Sequence, residues 1–378
     1  MRTFKPLLIV AAVLAGVALA PRAASAYPQF QLSTGAQRCN QCHIGPAGGT
    51  LLSGYGRDEA GDTISRGGNG AFLHGLWDPP DWLQLGGDAR LALLVSDNGG
   101  PGQPAVHAFP MQGDLYASIH ASDFYAVGVL GARGTVRGFQ NSDALEDKLS
   151  SREHYLMWRP AAQGAYVRAG RFQLPYGLRL VEHPLYVRRW GGQNYNEEPY
   201  ALSGGVVKNE YEWHLTAHVK NPFRCTGQAC ATYGGVAYYE RRVGDKLVLG
   251  AEARAAFFDK TDYGYDTYHA GFVAKYWLEG PKLLFMAQGD FGLKKIEKAH
   301  YTNRELVSYL GVSYFPVRGI LVTAAAESWY EDLQTKGSER HAGSLEVQYF
   351  PWAHFELLLW GRMSTDASLL MTQLHYYL

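Results

Sequence analysis

Residues 211–220 read YEWHLTAHVK. Successive side chains of an extended chain point to opposite faces, so Tyr211, Trp213, Leu215, Ala217 and Val219 fall on one side. Glu212, His214, Thr216, His218 and Lys220 fall on the other. The alternation recurs in WLQLGGDARLALLVS (82–96), where Leu83, Leu85, Ala89, Leu91, Leu93 and Val95 oppose Gln84, Asp88, Arg90 and Ser96. LVLGAEARAAFF (247–258) repeats it with Glu252 and Arg254 on the polar side. About sixteen such segments run from residue 82 to residue 378. Composition agrees, since 44 Gly, 25 Tyr, 16 Phe and 9 Trp in 378 residues favour strands and turns over helices.

Connections between the segments alternate in length. DNGGPGQPAV, RGFQNSDALEDKLS, NPFRCTGQACATY and KKIEKAHYTN read as long loops, whereas KNE, RVGD, EGPK, VRG and PWAH read as tight turns. Long-short alternation along an up-and-down meander is how outer-membrane barrels are built. A soluble sandwich or propeller would show the same period of two, so alternation alone leaves both open. Three features favour the barrel: a secretory signal, the even strand count with its loop rhythm, and aromatics at strand ends in YWLEG, SYFPVRG, SWYED and YFPWAHF. The last segment, SLLMTQLHYYL, places Leu374, Tyr376 and Leu378 on one face and resembles a terminal barrel strand with Leu378 where Phe is usual.

The signal occupies residues 1–26. Arg2 and Lys5 precede LLIVAAVLAGVALA, and the small-residue site Ala24-Ser25-Ala26 follows, with Tyr27 expected to start the mature chain. The run is short for a membrane span. Without Arg2, Lys5 and Arg22 the chain carries 32 basic against 35 acidic residues, a formal charge of −3, and no basic surplus suggests nucleic acid. Beyond the signal no apolar run reaches spanning length, which excludes a helical membrane protein but not a barrel.

Residues 27–80 are glycine-rich and poor in apolar side chains, and so small a segment folds only around something large and apolar. They contain Cys39-Asn40-Gln41-Cys42-His43, a C-x-x-C-H pattern. Two thiols three positions apart reach the two vinyl groups of one haem edge, and the adjacent His43 reaches the iron. Zinc would need further ligands, of which the segment offers only His74. A redox dithiol would need a thioredoxin-like context, which is absent. The expected cofactor is therefore one covalent haem c on Cys39 and Cys42, with His43 as proximal iron ligand. No Met occurs between Tyr27 and Pro110. His74 is the leading candidate for the distal position, with His214, His375, water or an open site as alternatives.

Other residues carry weaker signals. Cys225 and Cys230 sit five apart in an oxidising setting and are expected to form a disulfide, with a metal or redox role as the alternative. The longest connection, LPYGLRLVEHPLYVRRWGGQNYNEEPYA (174–201), either folds inward, where Arg179, Arg188, Arg189, Glu197 and Glu198 would set a transverse field, or covers the outer mouth. His269, Lys275, Asp290, Glu346, Glu356 and Arg362 join the polar strand faces as lumen lining. Asp143, Glu146, Asp147, Asp259 and Asp262 could collect cations such as ferrous iron, although loop carboxylates usually serve solubility.

Together, the start YPQF, the single CNQCH soon after it, LLSGYGR (51–57) and a barrel of about sixteen strands resemble the fused monohaem cytochrome-porins of the bacterial outer membrane, of the iron-oxidising type. The likeness covers the whole mature chain, and YVRAGRFQLPYGLR (166–179) also resembles a strand of oxyanion-type porins. The glycine-rich IGPAGG after His43 departs from the aromatic continuation expected there. The resemblance implies residues 27–80 as a haem-bearing plug and 81–378 as a porin-like barrel, an all-β fold. It implies electron transfer across the outer membrane, with extracellular ferrous iron as a possible donor and a periplasmic carrier such as a soluble cytochrome as acceptor, or the reverse direction. Lipid of the outer membrane is the remaining partner. A diffusion porin for small anions or other solutes, with a haem-bearing plug, is the competing expectation.

Overall fold

The computed structural model describes residues 28–49, 51–100, 102, 104–134, 149–191, 198–219, 233–258, 265–296 and 299–378. The signal, Cys225, Cys230, Glu197 and the acidic residues Asp143, Glu146, Asp147, Asp259 and Asp262 lie outside these described residues.

Every strand pairs antiparallel with its neighbours in sequence. They are β1 (Leu83–Asp97), β2 (Ala105–Ala121), β3 (Phe124–Arg133), β4 in two pieces (Leu149–Ser150 and His154–Trp158), β5 (Gly164–Arg171), β6 (Tyr200–Val207), β7 (Tyr211–Val219) and β8 (Tyr233–Val243). The meander continues with β9 (Leu247–Phe257), β10 (Tyr265–Leu278), β11 (Leu283–Ile296), β12 (Tyr301–Tyr314), β13 (Ile320–Tyr330), β14 (Glu339–Tyr349), β15 (Phe355–Ser364) and β16 (Ser368–Tyr377). Both pieces of β4 pair with β3, so they fill one position in the wall. Pairing of β1 with β16, in the register Ala89↔Tyr376 to Asp97↔Ser368, closes a sixteen-stranded barrel.

Which face is buried separates a membrane barrel from a soluble sandwich. On β7 the apolar Leu215 is 59% exposed while Glu212 beside it in the alternation is fully buried. Leu115, Leu130, Leu156, Leu202, Leu310 and Leu345 likewise point outward, and His214, Glu240, Asp290 and Glu356 are buried inside. Such an inside-out pattern fits a wall solvated by hydrocarbon. Trp82, Phe124, Trp158, Tyr276, Tyr314 and Trp352 lie exposed near the end that carries the short turns, as an interfacial aromatic belt does. Among the described residues no helix is long and apolar enough to cross a membrane. The connection in KKIEKAHYTN, expected to be long, is short instead, because β11 runs to Ile296 and β12 begins at Tyr301.

The N-terminal segment lies inside the short-turn end. It contains α1 (Phe30–Ser33), α2 (Cys39–Cys42), α3 (Gly54–Glu59) continued by a π turn (Ala60–Ile64), and a 3-10 turn (Phe72–Gly75). Its apolar side chains pack outward against the barrel wall and the inward loop. Phe30, Leu52, Ala60 and Ile64 cluster with Leu321, Phe350 and Tyr377. Ile44 and Leu51 cluster with Tyr116, Tyr155 and Phe172, and Leu32 packs among lumen residues including Leu178 and Tyr238.

Burial on the outer face yields a measurable expectation. Leu215→Arg should destabilise the folded barrel by about 2–4 kcal/mol if this position lies near the bilayer midplane, read by equilibrium unfolding in lipid vesicles. Leu215→Ala should cost less, and equal costs would contradict a lipid-facing position.

Candidate functional site

The C-x-x-C-H residues form one turn of helix and its exit. Cys39 to Cys42 are helical, His43 N donates to Cys39 O at 3.0 Å, and His43 bridges Leu52 in an isolated antiparallel pair. Ser53 ties the following helix to this turn, because its N donates to Cys42 O at 2.9 Å and its Oγ donates to Gln41 O and accepts from Gly56 N. A Cβ on Gly56 would sit 2.2 Å from Cys42 O, so LLSGYGR supplies the cap and the bare backbone that let α3 rest on the cysteine turn. IGPAGG folds back on itself: a Cβ on Gly45 would sit 2.1 Å from Gly48 O, and Gly48 takes φ +90°, which favours glycine.

Arg38, the residue before Cys39, holds the turn to the barrel wall. Its Nη1 lies 2.7 Å from Glu240 and 4.0 Å from Glu212, and its Nε donates to Lys208 O and Asn209 O in the β6–β7 turn. Lys275 Nζ meets the other oxygen of Glu240 at 2.7 Å and Gln31 Oε1 at 2.6 Å. Arg179 closes the group at 2.6 Å from Glu212. All these charges are buried, so each depends on its opposite number.

The plug is bonded around the rim as well. Asn40 Nδ2 donates to Ala162 O in the β4–β5 turn and Arg159 Nη1 to Ile44 O. Arg318 donates to Gly61 O and Ser65 O, Ala353 N to Gly67 O, and Gln84 Nε2 to Leu52 O. Arg57 donates to Leu85 O at the start of β1, and burial pushes its guanidinium down to about 10.

From the other side, residues 172–191 fold inward. Tyr176 Oη donates to Asp290, Gly177 N to Glu252, Leu178 N to Gln288 and Tyr186 N to Glu327. Arg179 Nη1 donates to Ala47 O of the plug at 3.1 Å. The short helix α4 (Tyr186–Arg189) follows, with Trp190 stacked on Trp329 at 4.1 Å. The inward alternative for the longest connection is therefore the observed one. Arg188 binds Leu180 O and Val181 O, Arg189 lies over Trp190, and Glu198 meets Arg152 at 3.0 Å and Arg171 at 3.6 Å.

Between plug and inward loop lies a cavity of about 110 Å3, lined by His43, Arg90, Arg152, Glu153, Arg179, His183, Arg188 and His375 among others. It has room for several waters. Cys39, Cys42 and His43 therefore come together, and His43 faces this cavity. His74 does not line it. Its ring, on a residue at φ 58°, packs instead against His354 at 4.8 Å and Tyr376 at 6.3 Å. His214 bonds Tyr166 at 2.7 Å and lies 3.5 Å from Glu212. His375 reaches the cavity with its ring held by Glu356 at 2.6 Å and Asp88 at 3.1 Å.

Two free thiols and an imidazole on one turn are the donor set that a covalent haem c would need. Burial pushes the Cys42 thiol up to about 12, with Cys39 and Glu59 adding to the effect, which is unlike an activated redox cysteine. Among the described residues no group of three or more His, Cys, Asp or Glu is arranged to hold a metal ion, so no zinc site is assembled around the two cysteines. Sequence reasoning missed Arg38 and Glu240. Arg38 adjoins the motif and Glu240 lies on a strand far along the chain, and no local pattern marks either.

No protein-family model and no curated protein matches the chain. Solved structures do. An anion-selective porin from Comamonas acidovorans superposes with a TM-score of 0.60 at 11% identity, covering 78% of this chain and 99% of that one. In-vitro folded OmpT, an outer membrane protein of Vibrio cholerae in its trimer form, gives 0.58 at 10% identity over 78% and 99%. The outer membrane channel DcaP of Acinetobacter baumannii gives 0.56 at 10% over 78% and 97%. The chain thus has the fold of outer-membrane porins, a closed sixteen-stranded antiparallel barrel. At these identities the likeness is one of fold.

Docking of the plug should hinge on its buried arginine. Arg38→Ala leaves Glu240 short of a partner inside the lumen, a loss that costs about 3–5 kcal/mol for a buried pair. Residues 27–80 should become cleavable by added protease while the barrel stays folded in a gel-shift assay. A plug as resistant as in the wild type would show that Arg38 does not anchor it.

Proposed function

We propose that the protein conducts electrons across the outer membrane through a single haem c held by Cys39 and Cys42, with His43 on the iron, inside a solute-tight barrel. The observation that carries this reading is the position of the C-x-x-C-H turn: it lies within the barrel, fastened to the wall by Arg38, at the edge of a cavity that His43 lines. Short turns of such barrels face the periplasm; a plug on that side would lie within reach of a periplasmic carrier such as a soluble cytochrome. An extracellular donor, ferrous iron among the candidates, would supply the electron, or an extracellular acceptor would receive it.

The hydrocarbon core is roughly 30 Å thick, too far for one useful tunnelling step. A haem supplies a one-electron centre within that distance. Cys39 and Cys42 would fix it to α2, and His43 would hold the iron. Arg38, Glu240 and Lys275 keep the turn in place against the wall. Loop residues 176–190 and the plug fill the lumen from opposite sides and restrict water and solutes. Arg179 and Arg188 place positive charge by the same cavity, where a carboxylate or other anion is favoured.

A second reading has its own support. The solved structures that resemble this chain are porins and channels, one of them described as anion-selective, and taken alone they favour a diffusion porin over a haem conduit. The arginines around the cavity suit small anions. The packed lumen speaks for the conduit.

Proteoliposomes separate the two. With an electron acceptor enclosed and a reductant added outside, the haem-loaded protein should reduce the acceptor without leakage of a co-enclosed anionic dye. Cys39→Ala with Cys42→Ala should abolish covalent haem and the electron flux together. Dye leakage without electron flux would establish the porin reading instead.

A further inference from the structure

The part of the plug that rests on the cysteine turn turns an acidic side to solvent. Resting on the conduit reading above, we propose that this side is the docking face for a basic periplasmic electron carrier, a soluble protein whose redox edge is ringed by lysine or arginine. α3 lies directly on Cys42, because Ser53 N donates to Cys42 O at 2.9 Å and Gly56 leaves its backbone bare against that carbonyl. On α3 and its π turn Asp58 and Asp62 are exposed and Glu59 is half-buried. Asp78 and Asp81 are exposed as well. The basic residues of the segment are placed otherwise. Arg38 and Arg57 are buried, residues 28–82 contain no lysine, and Arg66 is the exposed base. Asp58, Asp62, Asp78 and Asp81 have no ion-pair partner among the described residues.

Apolar side chains accompany these acids. Leu76 is 88% exposed and Trp77 47% exposed. The Trp77 ring packs on Phe72 at 5.8 Å, and Phe72 in turn carries the Arg57 guanidinium of α3 at 5.4 Å, so residues 72–77 and α3 belong to one surface. Elsewhere on the short-turn rim the signs are mixed, with Arg242 at 3.6 Å from Asp245 and Lys246 at 3.6 Å from Glu279. A field of one sign is therefore a property of the plug. Such a field steers a partner of opposite charge, while a small apolar contact lets it approach closely and leave quickly. The same carboxylates repel a second copy of this face and disfavour an anionic lipid surface. Position favours the electron step too. A carrier seated on the outer side of α3 is separated from the cysteine turn by about one helix diameter, roughly 10 Å, and one electron is exchanged between haem and carrier.

The test uses the full-length, haem-loaded protein in neutral detergent. The probes are a lysine-rich soluble cytochrome c and the same cytochrome after succinylation, which turns its lysines into carboxylates. Surface plasmon resonance should show salt-sensitive binding of the first and none of the second. Asp58→Asn, Asp62→Asn, Asp78→Asn and Asp81→Asn combined should weaken binding at low salt by about tenfold, the sum of several exposed pairs, mainly through slower association. Leu76→Ser should speed dissociation. Asp245→Asn with Glu279→Gln, a loss of two acids elsewhere on the rim, should leave binding unchanged. Gel-shift checks that every variant keeps a folded barrel. The docking face is overturned if the lysine-rich cytochrome fails to bind, if its succinylated form binds equally, if the fourfold variant binds like the wild type, or if the rim variant loses as much. A change of oligomeric state in the fourfold variant, read by light scattering, assigns the face to a second copy and overturns it too. So does quenching by bromine-labelled lipid that disappears in Trp77→Phe, which puts that ring in the bilayer. Failure of docking with electron flux to a small soluble acceptor intact leaves the conduit reading standing. Charge-dependent docking without covalent haem or flux overturns the conduit reading and keeps the docking face.

Discussion

The buried contact of Arg38 with Glu240 and Glu212 is the interaction on which the arrangement of the molecule depends. It couples the residue before the cysteine turn to strands β7 and β8, more than 170 positions away in the chain, inside a lumen where none of these charges is satisfied by bulk water. Lys275 on β10 and Arg179 on the inward loop share the same two carboxylates. The group thereby joins plug, wall and loop. A buried network of this kind contributes little net stability compared with apolar packing, but breaking one member strands the others. Its effect is to permit one docking position.

Around that anchor plug, loop and wall pack against one another. Among the described residues each apolar cluster that includes plug residues is completed by wall or loop residues. Small segments lack the surface to bury on their own account, so the barrel substitutes for the missing interior. Glycines allow this economy of space: Gly56 lets α3 lie on the cysteine turn, and Gly45 lets the following loop fold back on Gly48.

Much of the wall was legible in the sequence. Period-two alternation, turn residues and aromatic strand ends foretold the meander and the number of strands, because a strand's two faces meet different solvents and its side chains must alternate accordingly. The motif Cys39–His43 was legible for a related reason: its chemistry is local, set by three side chains on one helical turn. Some local expectations missed. KKIEKAHYTN reads as a loop because its residues are polar, yet Lys294 and Lys295 belong to the end of β11.

By itself the sequence determined a chain of alternating strands preceded by a C-x-x-C-H segment, since period and spacing are properties of neighbouring residues. Tertiary structure alone decided which strand face is outside, where the segment docks, whether residues 174–191 fold inward, and which histidines share a cavity with His43. Those outcomes depend on barrel closure, which brings β1 against β16 and sets Arg38 beside Glu240. They arise from contacts between residues far apart in the chain, and no local pattern of residue types encodes such distances.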